Sequence, residues 1–246
     1  MTKNRSLFSE MKVLQRSIPS AVLSLFAGSV VAMNLLANKS LDLPFTWLAA
    51  DCGIIFSWLA FLLMDIITKR LGPRAATMVS IMALMVNLFM ALMFYIASVI
   101  RGSWGDSWSG GDPAVINSAL DNTFGGTWYV LMGSSIAFLV SAFVNNFSNW
   151  AIGKRVAAKG FGAFALRSYA STLISQFADN LTFALIVSLH FFGWSLIQCF
   201  TCAVTGALVE LLCEVIFSPL GYKISLNWEN DDVGRAYLDY ISETGN

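Results

Sequence analysis

Residues 168–218 read SYASTLISQFADNLTFALIVSLHFFGWSLIQCFTCAVTGALVELLCEVIFS. Two apolar runs, 168–192 and 194–218, flank Gly193, and at 1.5 Å rise per residue each is long enough to cross a hydrocarbon core of about 30 Å. The stretch holds three acids, Asp179, Glu210 and Glu214, and no Lys or Arg. A carboxylate at that depth costs about 2.5–3.5 kcal/mol on insertion scales, so it ordinarily faces a polar cavity and marks a solute or proton path. With no basic side chain in the same runs, the partner to expect is a proton, another polar group or a bound ligand.

The pattern repeats outward. Apolar runs near 18–37, 44–64, 75–100 and 127–152 complete a set of six, and Asp51 adds a fourth acid. Hydrophobic residues make up 57% of the 246, charged residues 12%, and the mean hydropathy is +0.66, values of a polytopic membrane protein. The expected fold class is all-α with six transmembrane helices. Six spans leave short loops and tails, with no room for a soluble catalytic domain, and a net charge of zero gives no basic surface for nucleic acid. Thirteen of the fifteen Lys and Arg fall on one side of these spans, and only Lys39 and Arg101 on the other. The positive-inside rule then places both termini in the cytoplasm. The expected organisation is a cytoplasmic N-terminal segment over 1–17, a transmembrane domain over 18–222 and an acidic tail over 223–246. The first run is longer than a secretory h-region, so it reads as a retained helix.

Segments outside the spans carry their own signals. Residues 101–126 contain Trp104, Trp108, Asp106, Asp112, Asp121 and six Gly, and read as a long external loop, either a lid or an interface anchor. Leu7, Phe8, Met11 and Leu14 recur at helical spacing beside Lys12 and Arg16, as in an amphipathic helix on the inner leaflet. Cys199 and Cys202 form a C-x-x-C inside an apolar helical run, with Cys52 and Cys213 remote. They read as packing residues, and no metal or other cofactor is expected.

Polar residues line up on two spans. Ser134, Ser141, Asn145 and Asn149 share one face of the fourth, and Ser168, Thr172, Ser175 and Asp179 one face of the fifth, with Gln176 and Asn180 alongside. These faces should meet. Interhelical hydrogen bonding explains the hydroxyls and amides. It explains Asp179 less well, because that residue lies about twelve residues from the cytoplasmic end, where an uncharged amide would cost less. Leu139, Ser141, Phe143, Asn145 and Asn146 also match Leu173, Ser175, Phe177, Asp179 and Asn180 at a spacing of 34, a likeness in keeping with inverted repeats that meet at a midplane site.

With these residues in place, the chain resembles the queuosine precursor transporters, the bacterial vitamin uptake transporter (VUT) family. The likeness lies in Asp65, Thr68, Gly72 and Arg74; in Ala137, Phe138 and Ser141; in Arg167, Ser171, Thr172, Ser175, Gln176, Asp179 and Phe183; and in Pro219 with Tyr222. The chain departs from the family at Ala142 and Asn145, where a Gln and an Asp are usual, at Lys69 in place of Glu, and beside Glu210, where a Lys is common. The resemblance implies a multi-pass protein of the bacterial cell membrane that imports 7-cyano-7-deazaguanine or 7-aminomethyl-7-deazaguanine for the queuosine of transfer RNA. A guanine-like base presents a ring N–H and an exocyclic amine, which an ionised carboxylate can accept together. The expected substrate-binding set is Asp179, Gln176, Asn180, Asn145, Asn146, Ser175, Ser141 and Phe183, with Trp150, Phe147 or Phe183 to stack on the base. Glu210, Glu214 and Asp51 are the candidates for a proton or polar path; Glu210 and Glu214, one turn apart, read either as that path or, the favoured alternative, as neutral hydrogen-bonding residues with a packing role. The resemblance also extends to the substrate-binding subunits of energy-coupling-factor transporters, so such subunits are candidate partners besides membrane lipid.

Two further classes fit the sequence less well. An intramembrane enzyme would use Asp179 or the Glu210 and Glu214 pair, one turn apart on a helix face, yet the chain has no H-E-x-x-H and no G-x-S-x-G, and its one His, His190, sits at the external end of the fifth span. A purely structural scaffold leaves the midplane acids unexplained. No catalytic residue is expected. With no G-x-x-x-x-G-K-[ST] the chain is not expected to hydrolyse ATP itself, which leaves an ion gradient or an ATP-driven partner as the energy source.

Overall fold

The computed structural model of the chain describes residues 6–105, 111–155 and 161–244. Among them the named elements are all helical: α1 (Leu7–Ser17), α2 (Ser20–Leu36), α3 (Ile54–Leu71), α4 (Pro73–Val99), α5 (Pro113–Arg155), α6 (Phe161–Phe183), a π turn (Ala184–Ser188), α7 (Leu189–Phe191), α8 (Leu196–Asn230) and α9 (Arg235–Glu243). Four segments among the described residues are long and apolar enough to cross a membrane: Pro73–Val99, Pro113–Ser141, Thr172–Phe191 and Leu196–Phe217. A fifth is added if α1 and α2, bent by 109° at their junction, count as one span. Pro19 lies at that break, where the residue before a proline is pushed out of the α region; Ile18 is extended, with φ −102° and ψ 140°.

Two of the expected boundaries move. Over 44–64 the sequence reads as one apolar helix, but α3 begins only at Ile54. Residues 39–52 instead double back, with the Leu41 N–H donating to the Ala50 carbonyl and the Cys52 N–H to the Lys39 carbonyl, each at 2.8 Å. Asp51 Oδ1 accepts the Gly53 N–H at 2.8 Å, a local turn that competes with helix. A side chain at position 53 would meet the Met33 carbonyl oxygen at 2.7 Å, so glycine is required for this approach. α3 also carries Asp65, Lys69 and Arg70 toward its C-terminal end, which shortens its apolar part.

The long loop expected over 101–126 is shorter, because α5 starts at Pro113. Proline suits the first helical position, where its missing N–H is not needed, and Asp112 Oδ1 caps the turn by accepting the Ala114 N–H at 2.9 Å. Trp104 is tied to this new first part of α5. Its backbone N–H donates to Asn117 Oδ1 at 2.7 Å, its indole N–H to Asp121 Oδ1 at 2.8 Å, and its ring stacks on Phe124 at 4.9 Å. Asp106 and Trp108 lie outside the described residues.

The chain divides into two compact units. One comprises Met1–Val31, Phe56–Asn87 and Cys213–Asn246. Within it α1 packs on α9, and the fully buried Glu10 carboxylate receives Arg74 Nε and Nη2, both at 2.9 Å, and the Tyr237 hydroxyl at 3.2 Å. Three donors thus offset the burial of one charge. The apolar set expected on α1 is divided: Leu7 and, by 77%, Phe8 are exposed, whereas Leu14 is fully buried, as is Glu10. Arg70 Nε reaches the Val233 carbonyl at 3.0 Å, fastening the turn before α9.

The second unit comprises Ala32–Ile55 and Leu88–Leu212. Its backbone is α5 packed along α6, the two helices whose polar faces the sequence predicts to meet. Cys199 and Cys202 are buried with Ala49, Ala184 and Trp194 in an apolar cluster, in the packing role expected of them. α8 holds the 46–47 backbone through Gln198 Nε2 to the Thr46 carbonyl at 3.0 Å and Thr201 Oγ1 to the Trp47 carbonyl at 2.6 Å.

Candidate functional site

The site is built on α6, within the membrane-crossing segment Thr172–Phe191. Positions 172, 176, 179, 180 and 183 recur at three and four, so they fall on one side of a helix with 3.6 residues per turn. Gln176 is 4% exposed and its Oε1 has no hydrogen-bond partner among the described residues. Asp179, three residues on, is partly buried, and among the described residues it has no hydrogen-bond or ion-pair partner, nor a charged neighbour. A buried polar group ordinarily finds a partner. Two on one side of a helix, acid and amide, leave acceptor oxygens that no described residue engages.

The other expected residues divide by what they touch. Asn180 Nδ2 donates to the Gln176 carbonyl at 2.9 Å and to Glu210 Oε2 of α8 at 3.2 Å. Gly206 makes this possible: a Cβ there would lie 2.8 Å from Asn180 Nδ2 and 2.9 Å from its Cγ. Ser175 is buried, its hydroxyl donating to the Thr172 carbonyl at 3.0 Å. Phe183 packs against the core of Ala37, Val130 and Val187. Ser141 of α5 is partly buried, whereas Phe147 is 59% exposed. The side chains of Asp65, Asn145, Asn146, Asn149, Trp150, Arg167, Ser168 and Ser171 lie outside the described residues.

The remaining acids occupy different settings. Glu210 is 6% exposed and held by Asn180, so it serves α6 rather than standing only as half of a pair with Glu214. Asp51 lies in the turn before α3, next to Cys202 of α8, and Glu214 is partly buried in the first unit. The sequence did not point to Tyr129, whose hydroxyl donates to the Ile186 carbonyl at 2.8 Å. Ile186 is in the π turn that follows Asp179 by one to two turns, and such turns free backbone carbonyls and are frequent at functional sites. No periodicity reports this π turn, because residues 183–187 are all apolar and a one-residue shift of phase leaves no trace in such a run.

Over residues 51–224 the sequence matches the family described as "Putative vitamin uptake transporter". The chain belongs to that family. Comparison with curated proteins and with solved structures gives no match. The match begins at Asp51 and ends within α8, so it takes in α3 to α6 and both partners of the Asn180–Glu210 contact. Family membership and the apolar helices make this vitamin uptake transporter family member a multi-pass membrane protein whose substrate is a small molecule. Glu10 and Tyr237, which clasp Arg74, lie beyond the matched residues.

Proposed function

We propose that the protein imports a queuosine precursor, 7-cyano-7-deazaguanine or 7-aminomethyl-7-deazaguanine, across the bacterial cell membrane into the cytoplasm, with both termini cytoplasmic. The observation that carries this reading is the Asp179 carboxylate beside the buried Gln176 Oε1, neither of which has a partner among the described residues, on a membrane-crossing helix of a transporter family member. A carboxylate accepts the ring N–H and exocyclic amine of a guanine-like base together, and Gln176 Oε1 can take a further donor. Asn145, Asn146, Ser141 and Ser175 would complete the polar lining. Phe183 would serve as an apolar wall.

The test is expression of this one gene in a bacterial host that lacks deazaguanine uptake and has no energy-coupling-factor proteins, supplied with 7-cyano-7-deazaguanine outside. Queuosine regained in transfer RNA supports import by a self-sufficient carrier. Binding by purified protein without regained queuosine would turn the reading to a substrate-binding subunit needing a partner, and neither result would overturn the substrate.

A further inference from the structure

Asn180 has both of its donor hydrogens engaged. A primary amide carries two N–H donors and one carbonyl acceptor, and Nδ2 serves the Gln176 carbonyl at 2.9 Å and Glu210 Oε2 at 3.2 Å. Turning the amide over would set Oδ1 against two acceptors, so the contact fixes its sense. Gly206 brings α8 to within touching distance of the amide, and Glu210, 6% exposed, is shielded from water that could replace it. What Asn180 can offer to anything else is its carbonyl oxygen. The two neighbours on the same side of α6 offer oxygens as well, the Asp179 carboxylate and the buried Gln176 Oε1, which has no partner among the described residues.

We infer that Glu210 is a positioning residue: it holds Asn180 with the carbonyl outward, so that Asp179, Asn180 and Gln176 Oε1 set acceptor oxygens together on α6 and favour a ligand carrying several N–H donors. The inference rests on the reading of α6 as the ligand face. It gives Glu210 a task that needs no proton transfer and no pairing with Glu214. A solute with a lone pair where the base has its amine would meet oxygen against lone pair, a cost that a mixed amide face would not impose.

The experiment is equilibrium binding to the purified full chain in lipid nanodiscs, with two probes. One is 7-cyano-7-deazaguanine and the other is the same ring without its exocyclic amine. The wild-type protein should favour the first by about tenfold or more, the scale of one hydrogen bond to a charged or fixed acceptor. Glu210→Met, which removes the acceptor at similar length, should weaken the amine probe by about tenfold while changing the other less than about threefold, so the preference is lost. Glu210→Gln keeps an acceptor oxygen and should restore most of it. A Glu210→Met protein that keeps the wild-type ratio, or loses both probes equally without rescue by Gln, overturns the inference. Should the Met variant not fold, Asn180→Ala removes the same oxygen, and an unchanged preference there overturns the inference as well. A wild-type protein that binds neither probe overturns the ligand face itself, and this inference with it.

Discussion

Asp179 and Asn180 are neighbours in sequence with opposite circumstances, and the difference explains what each can do. Asn180 is bonded twice and packed on Gly206, whereas Asp179 has no partner among the described residues. Substituting Gly206 by Ala forces a Cβ to within 2.8 Å of Asn180 Nδ2. The amide must shift, and Gly206→Ala should destabilise the protein by about 1–3 kcal/mol, the usual cost of overpacking, seen as a lower unfolding temperature in detergent; an unchanged temperature would mean that the helices are not so closely apposed. The spacing of Gln176, Asp179 and Asn180 was legible in the sequence, since a helical face is fixed by residue number alone. The partner of Glu210 was not. Its nearest acid along the chain is Glu214, one turn away, but the contact with Asn180 joins residues thirty apart, and periodicity carries no information about which helices touch.

The spans themselves were the most readable elements, because a long apolar run with no charge has few other solutions than a buried helix. Thus 75–100, 168–192 and 194–218 correspond closely to crossing segments, while 44–64 failed at its start, where Asp51, Gly53 and the doubled-back chain sit inside an apolar run that hides the break. The 101–126 reading failed for the converse reason: glycines and acids made a helix look like a loop, although Asp112 before Pro113 was a helix-start signal. The π turn was invisible. It can be tested at this scale, since Tyr129→Phe deletes the 2.8 Å hydrogen bond to the Ile186 carbonyl and leaves the ring packing in place. The loss should cost about 1 kcal/mol and speed amide hydrogen exchange over 184–191, with the start of α8 unaffected; protection equal to wild type would show that the hydroxyl does not hold the turn.

For the molecule as a whole, the two ends of the chain are fastened to each other through α1 and α9, with Glu10, Arg74 and Tyr237 at the junction. Arg74→Ala leaves the buried Glu10 carboxylate with the tyrosine alone among these donors, and because the guanidinium side is half exposed the cost should be about 1–3 kcal/mol, below that of a wholly buried pair. Protease should then cut within 235–243 sooner than in the wild type, and equal resistance would argue that α9 is held by other contacts. Of this clasp, Glu10 and Tyr237 lie outside the family match, whereas the polar face of α6 lies inside it, and the transport reading depends on the latter. Its most direct test is equilibrium binding of 7-cyano-7-deazaguanine to purified wild-type protein and to Asp179→Asn. Removing one partner of a buried charge-assisted contact costs about 2–5 kcal/mol, so the variant should bind at least about thirtyfold more weakly with an unchanged unfolding temperature, and equal binding by the two proteins would contradict the account.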